Sequence, residues 1–279
     1  MIDIAFDGGR GGEAALIWAT EFWADGPVEV VTVEDSDELG VRIPAGPTAS
    51  EVSAAAGGWL LNNAPRLDAT FAIEQGEIVD VLRRRSGHAE LTVLGSHRGG
   101  TDGGRLEPVP RKVAAASDGP VVVVPASNPV PGGPVIVGVA EDEASTGAIE
   151  FAARLAARWH RPLRILHAWW LVPHLDDGDG FADQGQARDE HQQVVDAAVA
   201  VARRNHPELP VEGEAVVGET IAVLSAACAD CCLMVIGRRR TGVLAGWLLD
   251  TVGHELLNRL PCPIGVVPTS STSAEDAPA

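Results

Sequence analysis

Two stretches of the chain combine residue types that hold phosphate. Residues 93–104 run Val-Leu-Gly-Ser-His-Arg-Gly-Gly-Thr-Asp-Gly-Gly, and residues 235–246 run Val-Ile-Gly-Arg-Arg-Arg-Thr-Gly-Val-Leu-Ala-Gly. Each is an apolar, strand-like run that ends in a glycine, Gly95 or Gly237, and passes through a Gly-rich loop toward a helical segment. Glycines let the backbone approach an anion, and the free N–H groups at a helix start attract it. Arg98 and Arg240 stand at the same place in the two loops. An Arg can hold phosphate through two parallel hydrogen bonds, although its side chain also fills space that a glycine would leave open. Arg238, Arg239 and Arg240 form the densest basic run of an acidic half. The plain alternative is a solvated connecting loop whose arginines pair with carboxylates, and the sequence leaves both readings open.

Other residue types with chemical potential are better read as structure. Cys228, Cys231 and Cys232 resemble half of a metal knuckle, and Cys262 could complete four ligands. No His stands at knuckle spacing, and Cys231 and Cys232 open an apolar run in which Cys acts as a small hydrophobe. His97 lies in the first loop, His167 closes a strand, and His254 lies on the last helix facing solvent or a partner domain. Trp169 and Trp170 start a loop, where packing is the expected role of an aromatic. Arg83, Arg84 and Arg85 read as a solvated helix face. No Ser/His/Asp grouping, HExxH or Walker motif is present, so the chain carries no recognisable hydrolase machinery.

The elements that must position the loops occur twice. Residues 73–98 and 215–240 align at an offset of 142, matching Gly76 with Gly218, Glu77 with Glu219 and Gly95 with Gly237. Residues 120–125 and 263–268 align at an offset of 143, and residues 5–9 answer 138–142 at 133. One long repeat indicates two copies of a domain rather than a solenoid. In the first half, strands are expected at 2–6, 28–33, 69–74, 90–94 and 121–124, with helices at 14–23, 51–64, 77–86 and 110–117. In the second half, strands are expected at 135–139, 163–168, 211–216, 232–236 and 264–267. Helices are expected at 145–159, 187–204, 219–229 and 248–259, with 171–185 an acidic Gly-rich loop. Strands alternating with helices imply parallel sheets covered on both faces. The domains are placed at 1–126 and 135–268, with a Pro/Gly-rich linker at 127–134 and a disordered tail at 269–279. The last strands, 121–124 and 264–267, are short apolar edges that pairing within the chain would cover.

Charge narrows the partners. Lys and Arg number 10 against 19 Asp and Glu in residues 1–130, and 11 against 20 in residues 131–279. A net charge of −18 repels nucleic acid and anionic membrane surfaces. No apolar run reaches membrane-spanning length, and the first residues lack the pattern of a secretion signal. A cytoplasmic location is therefore expected.

Several of these segments together resemble the universal stress protein (UspA-like) family, as a tandem pair over residues 1–268. They are Asp7-Gly8-Gly9, residues 163–169, Val216 to Glu219, residues 233–237 and residues 260–268. The resemblance implies an α/β fold of two Rossmann-like domains of the adenine-nucleotide α-hydrolase type, each a five-stranded parallel sheet flanked by helices. It also implies pairing through the last strand of each domain, as an intrachain pseudo-dimer, with a further homodimer in reach. Many members bind ATP through Gly-x-x-Gly-x9-Gly-Ser/Thr. Here the second copy supplies Gly237 and Thr251, with Arg240 and Asp250 in place of the other glycines. The first copy keeps Gly95 alone, followed by Arg98, Pro108 and Val109. The family's Asp at the end of the first strand is Asp7 in one half, and Ala140 stands there in the other. Asp250 would put a carboxylate at a helix start where it competes with a bound anion. Pro108 removes an N–H donor. The expected function is thus a non-catalytic stress-response protein with degenerate nucleotide loops that acts through contacts with a protein partner. The alternative is a member that keeps ATP as cofactor in at least one pocket, with slow hydrolysis. The residues singled out for nucleotide are Asp7, Gly95, Arg98, Gly237, Arg240 and Thr251; none is singled out for metal or catalysis.

Overall fold

The computed structural model describes residues 1–24, 26–35, 46–96, 108–127, 130, 132–141, 143–170, 180–238 and 251–269. In the first half the strands are β1 (Ile2–Ala5), β2 (Val28–Asp35), β3 (Ala69–Gly76), β4 (Leu91–Ser96) and β5 (Val121–Pro125). Helices α1 (Arg10–Phe22), α2 (Ala49–Asn63), α3 (Ile78–Ser86) and α4 (Pro108–Ala116) connect them. The second half repeats the order. Its strands are β6 (Val135–Gly138), β7 (Leu163–Trp169), β8 (Val211–Val217), β9 (Leu233–Arg238) and β10 (Ile264–Pro268). Its helices are α5 (Glu143–Arg158), α6 (Gly180–Asn205), α7 (Thr220–Ala227) and α8 (Thr251–Arg259).

All ten strands form one sheet in the order β3-β2-β1-β4-β5-β10-β9-β6-β7-β8. Every pairing is parallel except β5 with β10, where Val123 faces Ile264, Val122 faces Gly265 and Val121 faces Val266. The last strands therefore meet as their apolar sequences suggest. One hydrophobic core on each side of the sheet contains residues from both halves. Trp18 and Phe22 of α1 pack against Trp159, just past α5, with ring centroids 5.6 and 4.6 Å away. The Arg158 guanidinium lies 4.1 Å over the Trp23 ring, and Arg154 pairs with Glu90 at 3.0 Å.

The strand-to-helix joint that dominates the internal repeat has a local cause. Glu77 is the N-cap of α3 and accepts from the Asp80 N–H at 2.8 Å. Glu219 is the N-cap of α7 and accepts from the Ile221 and Ala222 N–H groups at 3.1 and 2.8 Å. A capping side chain satisfies helix-start donors that the helix itself cannot. The glycine before the first cap, Gly76, has φ of 136°, a conformation that side chains disfavour, and a Cβ on Gly218 would come within 2.9 Å of the Val223 side chain.

Three expectations are corrected. The helix expected at 14–23 starts earlier, because α1 runs from Arg10 and carries Gly11 and Gly12 inside it. The loop expected over 171–185 ends earlier, because α6 starts at Gly180. Arg85 is no solvated residue. It sits among Asp3 on β1, Glu29 on β2 and Glu74 on β3, and its guanidinium bonds all three. The Asp3 and Glu74 contacts measure 2.7 and 2.8 Å. Arg83 of the same run pairs with Asp118, 2.7 Å away. The expected tail is almost entirely outside the described residues.

Asp3 is nearly fully buried, and that burial raises its carboxyl pKa against the opposing pull of Arg85. Removing Arg85 would leave three carboxylates together without their cation. We expect Arg85→Ala to cost about 2–3 kcal/mol at pH 7, less than a fully buried pair because the site is partly exposed. Without Arg85 the burial of Asp3 would hold its carboxyl further above its unfolded value, so protonation relieves the strain. The deficit should shrink as pH falls toward 4. Urea denaturation of parent and variant across pH would check both the size and the direction.

Candidate functional site

The strand order of the first half reverses direction between β1 and β4, and ligands of open α/β sheets bind beyond the carboxyl ends of strands at such a point. A cavity of about 240 Å³ lies there. Its walls are mainly apolar: Val31 and Val33 from β2, Ile78 and Leu82 from α3, Leu94 from β4 and Val109 from α4. Asp7 supplies the charged group on its lining. This carboxylate is exposed, and its Oδ1 accepts from the Gly9 N–H at 2.8 Å. That bond ties the side chain to the turn and leaves Oδ2 open to a ligand hydroxyl or amine.

Asp7 and Gly95 both line this cavity, so the structure brings these two sequence-selected residues together. Gly95 has a second role that the phosphate pattern did not suggest. A Cβ on Gly95 would sit 1.5 Å from the Gly11 carbonyl oxygen of α1. The glycine therefore lets α1 pack directly on β4, on the side of the sheet away from α3 and α4. Arg98 and most of the first loop lie outside the described residues.

In the second half Gly237 is half-buried in β9, and Thr251 is the exposed first residue of α8. Arg240 and Asp250 lie outside the described residues. Arg238 is described, and it turns away from any ligand site at the strand end. It is buried and donates to the Ala115 carbonyl at 2.8 Å and to the Ser117 carbonyl. These carbonyls end α4 of the first half, so the first residue of the Arg run serves the junction between halves. A larger cavity of about 750 Å³ lies alongside, lined by Arg238, Arg154, Glu150 and His206 among others. Arg238 is committed to carbonyls there, and Arg154 to Glu90.

The histidines and cysteines also resolve. His254 is exposed on α8, while His97 lies outside the described residues. His167 is buried, with Nδ1 3.0 Å from the Val139 carbonyl and Nε2 2.9 Å from Nδ1 of His191. Trp169 is buried and stacks on His191 at 4.4 Å, whereas Trp170 is exposed. All four cysteines are buried and free. Burial pushes the Cys232 thiol up to about 11. The neighbouring sulfurs and burial also hold Cys231 and Cys262 above the usual thiol range.

Sequence reasoning did not find the apolar wall of the first cavity, because Val31, Leu82 and Val109 look like any core residues. It also passed over His191, which sits on a long polar helix with no motif around it. The Arg238 anchor carried a signal, a basic residue ending an apolar strand, but not a direction.

A parallel α/β sheet with a small apolar cavity at its switch point and an acidic group on the lining belongs to the Rossmann-like class. Residues 133–268 match the model of the family described as the Universal stress protein family. The match covers the second half of the chain. Curated relatives agree: universal stress proteins of Mycobacterium tuberculosis and Mycobacterium bovis are 26% identical over 152 residues, 48% of this chain and 47% of theirs. The match thus spans about half the length of these relatives. Solved structures show the same fold along nearly the whole chain. A universal stress protein from Archaeoglobus fulgidus has a TM-score of 0.62 at 16% identity, covering 96% of this chain and 98% of its own. A functionally unknown protein from Pseudomonas aeruginosa has a TM-score of 0.66 at 14% identity, covering 96% and 92%.

The close contact at Gly95 gives a stability prediction. Gly95→Ala should destabilise the protein by about 3 kcal/mol, because α1 must move off β4. Asp7→Ala, at an exposed turn, should cost about 1 kcal/mol. Urea denaturation compares them, and a Gly95→Ala variant as stable as the parent would remove the packing role. Thiol titration is a second check. The four cysteines should react with an aromatic disulfide reagent only after unfolding.

Proposed function

We propose that this protein is a non-catalytic stress-response protein of the universal stress protein family that acts through protein contacts. In it the first half keeps the nucleoside end of a nucleotide site, and the second half carries a degenerate copy. The observation that carries this reading is the apolar cavity of about 240 Å³ with Asp7 on its lining. Its size falls below the roughly 300–1,000 Å³ usual for larger ligands, and suits a purine base with part of its sugar. Apolar walls would take the base by burial and stacking, and the carboxylate would accept from a ribose hydroxyl. The phosphate end is poor by sequence: only Gly95 of the four motif positions remains, and it is engaged in packing α1. In the second half Ala140 offers no carboxylate, and Arg238 faces the first half.

The two halves are proposed as an intrachain pseudo-dimer, with domains at 1–126 and 135–268 joined by the linker 127–134. Its protein-contact surface is proposed at the free edge of the first half. There Leu61 on α2 and Phe71 and Ile73 on β3 stand exposed, at 74%, 44% and 46%. Large apolar side chains at an unpaired strand edge favour association, with a second copy or with another protein. The alternative, retained ATP with slow hydrolysis, is favoured by Thr251 at the exposed start of α8. Thr251 and Gly237 would be its phosphate ligands, helped by Arg240, while Arg98 would serve the first loop.

Calorimetric titration of the full chain with adenosine and ATP distinguishes these readings. Adenosine should bind, and the phosphates should add less than tenfold, or about 1.4 kcal/mol. Asp7→Ala should weaken both ligands by roughly tenfold or more, as expected for loss of a charge-assisted hydrogen bond. ATP binding at least a hundredfold tighter than adenosine, together with phosphate release, would establish the alternative instead. Absence of binding by either ligand would reject the nucleoside pocket.

A further inference from the structure

The carboxyl ends of β6 and β7 hold a cluster that the nucleotide reading does not use. Glu141 follows β6, His167 lies in β7, and His191 comes from α6 across the strand ends. One ligand atom from each of Glu141, His167 and His191 lies within 4.8 Å of the other two. We propose that Glu141, His167 and His191 form a binding site for a divalent cation of the zinc class, with a position left open to water.

The donor set fits that class. Two imidazoles and one carboxylate, with a fourth ligand from solvent, are a recurrent arrangement for zinc. Bonds of 2.0–2.2 Å at a tetrahedral angle put neighbouring ligand atoms about 3.3–3.6 Å apart. His191 Nδ1 and the Glu141 carboxylate are already 3.5 Å apart. His167 Nε2 and His191 Nδ1 are 2.9 Å apart, joined by a hydrogen bond, so a cation would need them to part by only a few tenths of an ångström.

The surrounding groups orient the ligands as metal sites require. A carbonyl oxygen can only accept, so His167 Nδ1 carries the proton that faces Val139, 3.0 Å away. In the neutral ring Nε2 then presents its lone pair to His191. A ligating histidine whose other nitrogen donates to a backbone carbonyl has its ring and tautomer fixed in this way. Trp169 stacks on the His191 ring and holds it. Glu141 stands at the solvent side of the cluster, which gives an ion a route in.

The repeated fold does not itself require these residues. The Val139 N–H bonds the Leu166 carbonyl as the Phe6 N–H bonds the Val31 carbonyl, both at 2.9 Å. In that register Gly8 stands where Glu141 stands and Thr32 where His167 stands. The cluster thus belongs to the second half alone, beside Ala140, where the family's aspartate is missing.

Cobalt(II) titration of the full chain, followed by absorption, tests the proposal. One cobalt per chain should bind, with the visible bands of a low-coordinate nitrogen and oxygen site and no thiolate-to-cobalt charge-transfer band. His191→Ala and Glu141→Gln should each weaken binding by at least tenfold, and Cys231→Ala should leave it unchanged. Zinc should raise the melting temperature of the parent and fail to raise that of His191→Ala. Glu141 is exposed, so its variant decides the matter even if His191→Ala folds poorly. The proposal is overturned if the parent binds neither ion saturably, if both ligand variants bind as the parent does, or if a thiolate band shows that the buried cysteines hold the ion.

Discussion

A five-stranded parallel sheet ends in edge strands whose outer N–H and C=O groups lack partners, and an apolar edge in that state recruits another chain. β5 and β10 are such edges, each nearly all Val, Ile, Gly and Pro. Their antiparallel pairing closes both at once and turns two sheets into one. The reversal of direction at this seam sets much else. It brings the carboxyl end of β9 beside the carboxyl end of α4, where Arg238 caps first-half carbonyls. It also lets α1 and α5 share the aromatic contact of Trp18, Phe22 and Trp159. With a core on each face drawn from both halves, unfolding of one half exposes apolar surface of the other.

Within this joined frame the halves have diverged at equivalent places. At the end of the first strand, Asp7 lines a cavity in one half while Ala140 and Glu141 follow in the other. On the neighbouring strand, Thr32 answers His167. The ligating potential has moved rather than vanished: a carboxylate facing an apolar cavity in the first half, a carboxylate with two imidazoles in the second. A tandem chain can hold such differences because the β5–β10 pairing does not involve Asp7, Ala140, Glu141, Thr32 or His167. The positions that do depend on packing, such as the Gly-Glu pairs before α3 and α7, are the ones that stayed alike.

Much of the fold was legible because it rests on local rules. The doubling, the α/β alternation and nearly every element can be read from apolar runs separated by Gly and Pro, and the partnership of 121–124 with 264–267 follows from their composition. The departures have physical reasons. Gly11 and Gly12 lie before the helix expected at 14–23, yet they are within α1, where Gly11 packs closely on β4 despite its poor helix propensity. Arg85 looked solvated since its charge partners, Asp3, Glu29 and Glu74, come from three strands far apart in sequence. The site was less legible for the same cause. Asp7 and Gly95 could be named from a pattern, whereas the cavity wall and the His167–His191 contact exist only through tertiary placement.

The fate of Arg238 bears on how the second loop should be understood. A buried guanidinium needs acceptors, and the last carbonyls of a helix are well suited because they lack partners inside it and carry the negative end of the dipole. Arg238 fills that need at α4, and its removal would leave buried acceptors unpaired. The Arg238 guanidinium is thereby engaged within the protein, at the seam. In the second half Ala140 cannot accept from a ribose, and Glu141 meets His191, which in turn meets His167. In the proposed function, nucleoside recognition falls to the half that kept Asp7, while Arg238 serves the seam between the halves.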